Sequence, residues 1–276
     1  MRILVLGASG YLGENVYQQF CRIDEDVQGT FNTNPRKGLI QLSVLEKETV
    51  NQFITSYAPQ VIIWCIKEDG NYAVLDGLCH VLDAITPHVR FIYLSTDGFV
   101  GGQGNYKEDT IMDYYQRNPL AGYVNHKIDS EKYIMAKHSN HVIVRTGPIY
   151  GRNVLGNWDK RITELMNKLG RKEKIYRASN LYKTFVHIED LTHMIIELSN
   201  HDYRGIIHTG PKTKESYYSF NQNIAQQLGL DSTYIIENKI PIDKARAEEI
   251  ALDTSMDTTK CRAIFDTDFR SVSSGS

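Results

Sequence analysis

Apolar residues cluster in short strand-like runs through the first half of the chain, at residues 3–6, 27–31, 39–42, 61–66, 91–95 and 142–146, and are continuous over 3–6, 61–66, 91–94 and 142–144. Between them the apolar spacing changes to every third or fourth position, as over residues 49–57 and 72–85. Blocks of this length, continuous instead of alternating, are the mark of strands buried on both faces, and helical segments between them supply the crossovers that parallel strands need. The pattern predicts an α/β fold, a Rossmann-type doubly wound parallel sheet with helices on both faces. Pro59 and Pro87 fall just before strands, where proline ends the preceding helix. After about Gly151 the alternation weakens. An amphipathic helix is predicted over 159–169, an irregular basic stretch over 171–174, a strand then a helix over 184–198, and a further helix over 219–228. The closing Ser-Val-Ser-Ser-Gly-Ser reads as a disordered end.

Composition narrows the class of partner. The chain has 276 residues, 41% hydrophobic and 23% charged, which is ordinary for a globular protein and excludes disordered and collagen-like classes. A net charge of -2 offers no basic footprint for nucleic acid or for an anionic membrane. The apolar runs fall far below the roughly 20 residues that cross a bilayer. A small-molecule partner and a cytoplasmic location follow as expectations, with a homo-oligomer left open. Cys21, Cys65, Cys79 and Cys261 show no CxxC pairing and no histidine at metal spacing, so they read as reduced and structural, and no metal site is expected.

The chemistry begins at the first strand, which runs into Gly7-Ala8-Ser9-Gly10-Tyr11-Leu12-Gly13. A strand, a glycine turn and a helix start make a phosphate cradle, because a pyrophosphate reaches the main chain only where no Cβ intervenes and helix amides then face the anion. Gly7, Ser9, Gly10, Tyr11, Leu12 and Gly13 are the candidate residues.

A second motif is Tyr123-Val124-Asn125-His126-Lys127, in a segment that reads as helix through Ile134. Residues 123 and 127 share a helical face, so an ammonium stands by a phenol whose ordinary pKa of about 10 it draws toward the working range. That is a proton donor. Phe91-Ile92-Tyr93-Leu94-Ser95-Thr96-Asp97-Gly98 ends a buried strand in hydroxyl residues, at the sheet edge where catalytic groups collect. Thr96, with Ser95 second, is the candidate to hydrogen-bond a substrate oxygen. A turn that merely caps the strand is the competing reading.

The motifs GASGYLG, STDGFVGG, YVNHK, Arg145-Thr146-Gly147-Pro148-Ile149-Tyr150-Gly151 and Phe185-Val186-His187-Ile188-Glu189-Asp190-Leu191 occur in the order seen in extended short-chain dehydrogenases. The chain most resembles their dTDP-4-dehydrorhamnose reductase-like branch, over most of residues 1–260. The resemblance implies that Thr96, Tyr123 and Lys127 form the catalytic triad and that the cofactor is a nicotinamide dinucleotide. The weakening of the strand–helix alternation after about Gly151 divides the chain into a cofactor-binding domain at 1–150, carrying the catalytic residues, and a smaller substrate lobe at 151–270 that is not independent. Cys65 and Ile66, at the fourth-strand exit, join the cofactor residues. At the end of the second strand Thr30 and Asn32 meet the adenosine ribose. No carboxylate stands there, and Arg36 or Lys37 reaches a 2′-phosphate, which puts NADP ahead of NAD. Asp24, Glu25 and Asp26 read as loop charges.

The expected function is NAD(P)-dependent reduction or dehydrogenation of a nucleotide-activated sugar. The alternative is a catalytically weak or inactive NAD(P)-binding regulatory subunit, since the same branch holds a regulatory subunit of methionine adenosyltransferase. Three departures bear on this. Pro148 stands where rhamnose-type reductases carry a tryptophan, Gly98 stands where a dehydratase needs a glutamate, and the fourth-strand exit, Trp64-Cys65-Ile66-Lys67, is bulkier than the family's small turn. His187 reads as packed and hydrogen-bonded, and His126 as lying on another helical face. Asn153, Trp158, Arg161 and Lys183 read as lobe packing or as holders of a diphosphate or sugar.

Overall fold

The computed structural model describes residues 1–23, 25–67 and 73–274; Asp24, Tyr72, Gly275 and Ser276, to which the sequence reading assigned roles, lie outside the described residues. In chain order the elements are β1 (Arg2–Leu6), α1 (Tyr11–Arg22), β2 (Asp26–Phe31), β3 (Ile40–Gln41), α2 (Lys47–Tyr57), β4 (Val61–Trp64), α3 (Ala73–Ala84), β5 (Arg90–Leu94), α4 (Ala121–Lys137) and β6 (His141–Thr146). They continue with β7 (Ile149–Tyr150), α5 (Lys160–Gly170), β8 (Ile175–Ala178), β9 (Tyr182–Lys183), β10 (Val186–His187), α6 (Ile188–Asn200) and β11 (Gly205–Thr209). The last are β12 (Glu215–Ser216), α7 (Tyr217–Gln227), β13 (Ile235–Asn238), α8 (Ile242–Ala247) and α9 (Thr259–Ile264). The chain gathers into two compact units, each assembled from separated stretches.

The first unit takes Met1–Thr96, Leu120–Arg145 and Thr192–Ile207. Its seven-stranded sheet has the order β11-β6-β5-β4-β1-β2-β3. The strands from β3 to β6 pair in parallel, with Leu6 beside Trp64, Trp64 beside Tyr93, and Leu94 beside Val144. The order reverses between β1 and β4, and the crevice outside the strand ends at such a switch point is where open α/β sheets take ligands. Leu4, Leu6, Ile62, Trp64, Phe91 and Tyr93 form one buried cluster with Val50 and Ile54 of α2 and Leu78 and Val81 of α3. Arg90 ties the late stretch to the sheet, donating from Nε to the Leu198 carbonyl at 2.6 Å and from Nη2 to the Tyr203 carbonyl at 2.7 Å.

The second unit takes Asp97–Pro119, Thr146–Leu191 and His208–Ser276. Its sheets are two-stranded pieces, β7 with β10, β9 with β12, and β8 with β13. Phe185 stacks on Phe220 at 4.0 Å in a core with Tyr150, Ile162, Leu165 and Leu169. Asp159 caps α5 by accepting from the Arg161 amide at 2.9 Å, and Ser216 and Ser219 form a capping box at α7. The expectation of a disordered end fails for residues 272–274. They form a 3-10 turn, Val272 is buried in the core, and its carbonyl accepts from Gln227 Nε2 at 2.5 Å. An apolar residue at the right place in a polar tail is enough to dock it. Among the described residues no helix is long and apolar enough to cross a membrane.

Candidate active site

The cradle after β1 is built by crowding. Gly7 sits at φ +80, in the left-handed region, and a Cβ there would meet the Ile66 backbone nitrogen at 2.9 Å and the Cys65 backbone carbon at 3.0 Å. A Cβ on Gly13 would stand 2.2 Å from the Gly7 carbonyl oxygen, so α1 leaves the turn flush against it. Gly10 differs. Its amide donates to the Gly7 carbonyl at 3.0 Å, yet a Cβ on it would meet only that oxygen, at 3.2 Å. Gly10 is exposed and is the N-cap of α1 with no side-chain cap. Packing accounts for Gly7 and Gly13, while the smallness of Gly10 is what a ligand approaching the helix N-terminus requires. Ser9 and Tyr11 are half-buried beside it and Leu12 is buried. The residues present fit a dinucleotide pyrophosphate.

Of the candidates for the adenosine end, Thr30 is buried in β2, while Asn32, Arg36 and Lys37 are exposed in the loop that follows. The loop is held by Tyr17, whose hydroxyl donates to the Gly38 carbonyl at 3.2 Å. At the β4 exit the Cys65 amide donates to the Leu6 carbonyl at 2.9 Å, fixing Cys65 and Ile66 against the cradle. Burial pushes the Cys65 thiol up to about 12 despite the opposing pull of the Lys127 ammonium. The bulk expected at this exit is partly misplaced: Trp64 is the last residue of β4 and its side chain is fully buried in the sheet core, so the turn proper starts at Cys65.

Of the hydroxyl and YxxxK candidates, Lys127 and Ser95 are each bonded at the end of β5. Lys127 is buried, and its Nζ donates to the Leu94 carbonyl at 2.7 Å and lies 4.5 Å from the centre of the Tyr93 ring. Tyr123 is one turn earlier on α4 and half-buried. Ser95 donates its amide to the Val144 carbonyl at 2.8 Å and its hydroxyl proton to Glu131. With that proton committed to a carboxylate, Ser95 has none left for a substrate. Thr96, buried next to it, is the other hydroxyl of the pair.

Sequence reading missed Glu131, and took Arg145 only as the start of a motif without seeing that its Nη2 lies 2.7 Å from Glu131 Oε2 and its Nε 3.1 Å from Oε1, both side chains nearly fully buried. A signal was present: residues 123, 127 and 131 repeat every fourth position along one face of α4. His126 is fully buried on another face, as expected.

The other polar candidates lie in the second unit and are engaged there. Asn153 Oδ1 accepts from the Leu155 and Asn157 amides at 3.1 and 2.9 Å, Arg152 lies over the Trp158 ring, and Arg161 Nε is 3.2 Å from Asp159. Lys183 Nζ pairs with Asp97 at 3.0 Å, and Asp97 also accepts from Thr254 Oγ1 at 2.6 Å. His187 stands edge-on to Tyr150, with its pKa lowered by burial and by the Arg270 charge. That is the packed reading. Among the described residues no three His, Cys, Asp or Glu side chains gather as metal ligands would.

The sheet order, the glycine cradle at its switch point and the YxxxK helix define an extended short-chain oxidoreductase of the NAD(P)-dependent class. The chain belongs to the NAD dependent epimerase/dehydratase family, whose model matches residues 3–208. It is similar to methionine adenosyltransferase 2 subunit beta of Xenopus laevis, 24% identical over 255 residues that span 85% of this chain and 74% of that protein. In fold it is similar to a hypothetical dTDP-4-dehydrorhamnose reductase from Sulfolobus tokodaii, with a TM-score of 0.81, 23% identity and full coverage of both chains. It is also similar to the dTDP-4-dehydrorhamnose reductase of Bacillus anthracis in complex with NADP, with a TM-score of 0.80 and 19% identity over 99% of this chain and 96% of that one.

Proposed function

We propose that the protein is a reductase or dehydrogenase acting on a carbonyl or hydroxyl of a nucleotide-activated sugar, of the dTDP-4-dehydrorhamnose reductase type, with residues 151–270 as the substrate lobe. The observation that carries this reading is the anchoring of Lys127 on the Leu94 carbonyl, which holds the YxxxK helix at the strand exit where Thr96 stands. A bound nicotinamide supplies the hydride. Tyr123 then transfers its phenolic proton to the substrate oxygen, Lys127 favours the phenolate that remains, and Thr96 donates a hydrogen bond that orients that oxygen. Tyr123→Phe keeps the ring and removes the proton. Turnover on a panel of keto-sugar nucleotides is expected to fall by about 10²–10⁴-fold with cofactor binding retained, and unchanged turnover would overturn the assignment.

For the cofactor, the reading is NADP ahead of NAD, through Arg36 or Lys37, and the solved reductase bound to NADP supports it. NADPH is then expected to raise the melting temperature more than NADH at equal concentration, and the double variant Arg36→Ala/Lys37→Ala to erase the difference while sparing the NADH response. A larger shift with NADH in the unaltered protein reverses the preference. The likeness to methionine adenosyltransferase 2 subunit beta favours one second reading, a cofactor-binding regulatory subunit with weak or no turnover. Tight NADPH binding with silence across the whole sugar panel selects it.

A further inference from the structure

The exit of β5 is gripped by the same helix face that presents Tyr123. Lys127 takes the Leu94 carbonyl, and one turn later Glu131 takes the hydroxyl proton of the next residue, Ser95. Arg145, near the end of β6, closes on both oxygens of Glu131 from the far side. Two consecutive residues ahead of Thr96 are therefore bonded to two consecutive turns of α4. A lysine and a glutamate four apart on one helix face are natural partners for each other. Here the glutamate is committed elsewhere, to a guanidinium and a hydroxyl, and the ammonium is directed to a carbonyl.

We propose that Glu131 is a positioning residue: held by Ser95 and neutralised by Arg145, it locks the strand exit bearing Thr96 to the turns bearing Tyr123 and Lys127, and keeps its own charge from drawing the Lys127 ammonium off the phenol. The proposal rests on the reading of Thr96, Tyr123 and Lys127 as the reacting groups. The Cys65 thiol at the β4 exit feels the Lys127 charge, and Glu131, one turn further along the same helix face, is paired with Arg145 of β6. Without the Ser95 hydroxyl, Glu131 Oε1 keeps only the Arg145 Nε donor at 3.1 Å and competes more strongly for the ammonium, and the phenolate of Tyr123 loses part of its support.

Replacing Glu131 itself strands Arg145 in the interior and risks the fold. Ser95→Ala leaves the Glu131–Arg145 pair intact and removes only the hydroxyl. The test needs no substrate: the tyrosinate absorbance of the full chain is titrated with pH, and the midpoint of Tyr123 is obtained by subtracting the curve of the same protein carrying Tyr123→Phe. In the unaltered chain the midpoint is expected below the ordinary value of about 10. Ser95→Ala is expected to raise it by roughly half a unit or more, a fraction of the one to three units that a close opposite charge commands, and Ser95→Thr, which keeps the hydroxyl, to restore it. A depressed midpoint that Ser95→Ala leaves in place overturns the positioning role alone. An ordinary midpoint in the unaltered chain overturns the Tyr123–Lys127 reading and this proposal with it.

Discussion

The two units reach their long-range order by different means. In the first, distant stretches meet through the main-chain ladders of parallel strands and through apolar strand faces, with Trp64, Phe91 and Tyr93 at the centre of one cluster. In the second, the ladders are two strands wide and much of the joining falls to side chains. Asp97 holds Lys183 and Thr254, Asp190 holds Arg270, Asn180 donates to and accepts from the backbone of Ile240, and Thr184 Oγ1 accepts the Met256 amide at 3.0 Å. A ladder tolerates many apolar sequences and preserves the geometry of whatever sits at its strand ends. Side-chain clamps depend on single residues, so a unit built from them is more sensitive to single substitutions than one built from ladders.

The comparison breaks first where the first unit departs from its own rule. Arg145→Met leaves the Glu131 carboxylate buried without its cation, and a loss of about 3–5 kcal/mol is expected from the shift of the urea midpoint. In the second unit, Arg270→Ala removes the guanidinium that meets Asp190 at 2.7 Å, but Arg270 is a third exposed whereas Arg145 is nearly fully buried. A smaller loss of about 1–2 kcal/mol is expected, and salt should weaken the native pair further. Equal losses would erase the distinction between the units.

The smallest effect near neutral pH, growing in alkali, sharpens the comparison from the side of titration. Tyr57, bonded to the Ile3 and Asp26 carbonyls, is pushed up to about 12 from 10.0 by burial and by the Asp26 charge, and Cys65 to about 12 from 9.0 by burial. Tyr115 and Tyr150 in the second unit are also raised, by burial and then by the nearby charges of Asp97 and Asp190. These groups ionise first in the unfolded chain. Their protonated forms therefore favour the folded state below about pH 9, and that advantage is lost as pH rises from about 9 toward 12. Urea midpoints should be level between pH 7 and 8.5 and fall beyond 9, with a shallower fall in Tyr57→Phe.

What the sequence disclosed follows the same division. The sheet order rests on apolar blocks and helical spacing, which are local, so β1, β4, β5 and β6 and the helices between them stood out, as did the glycine turn. β11 did not. Its Gly-Ile-Ile-His-Thr has only two apolar residues in a row, too few to announce a strand, and only the edge of β6 gives it one. Trp64 was placed in the bulky fourth-strand exit, but it pairs with Tyr93 as the last residue of β4, and the apolar run to Ile66 overran the strand by two residues. Glu131 was visible in its spacing but not in its meaning, since its partners Ser95 and Arg145 lie on two other elements. Val272 was concealed by the serines around it.

Arg90 and β11 bear on how the chain is made. Synthesis delivers β6, with its apolar Val142, Ile143 and Val144, well before the ribosome reaches Gly205, and until β11 arrives that strand is an unpaired sheet edge. Open apolar edges recruit other chains. Arg90, at the foot of β5, holds the carbonyls of Leu198 and Tyr203 and so ties the stretch that leads into β11 to the sheet edge it completes. The nascent protein is thus most exposed to aggregation while residues 147–204 are being added, and a stall in that window should be more damaging than one before β6 or after β11.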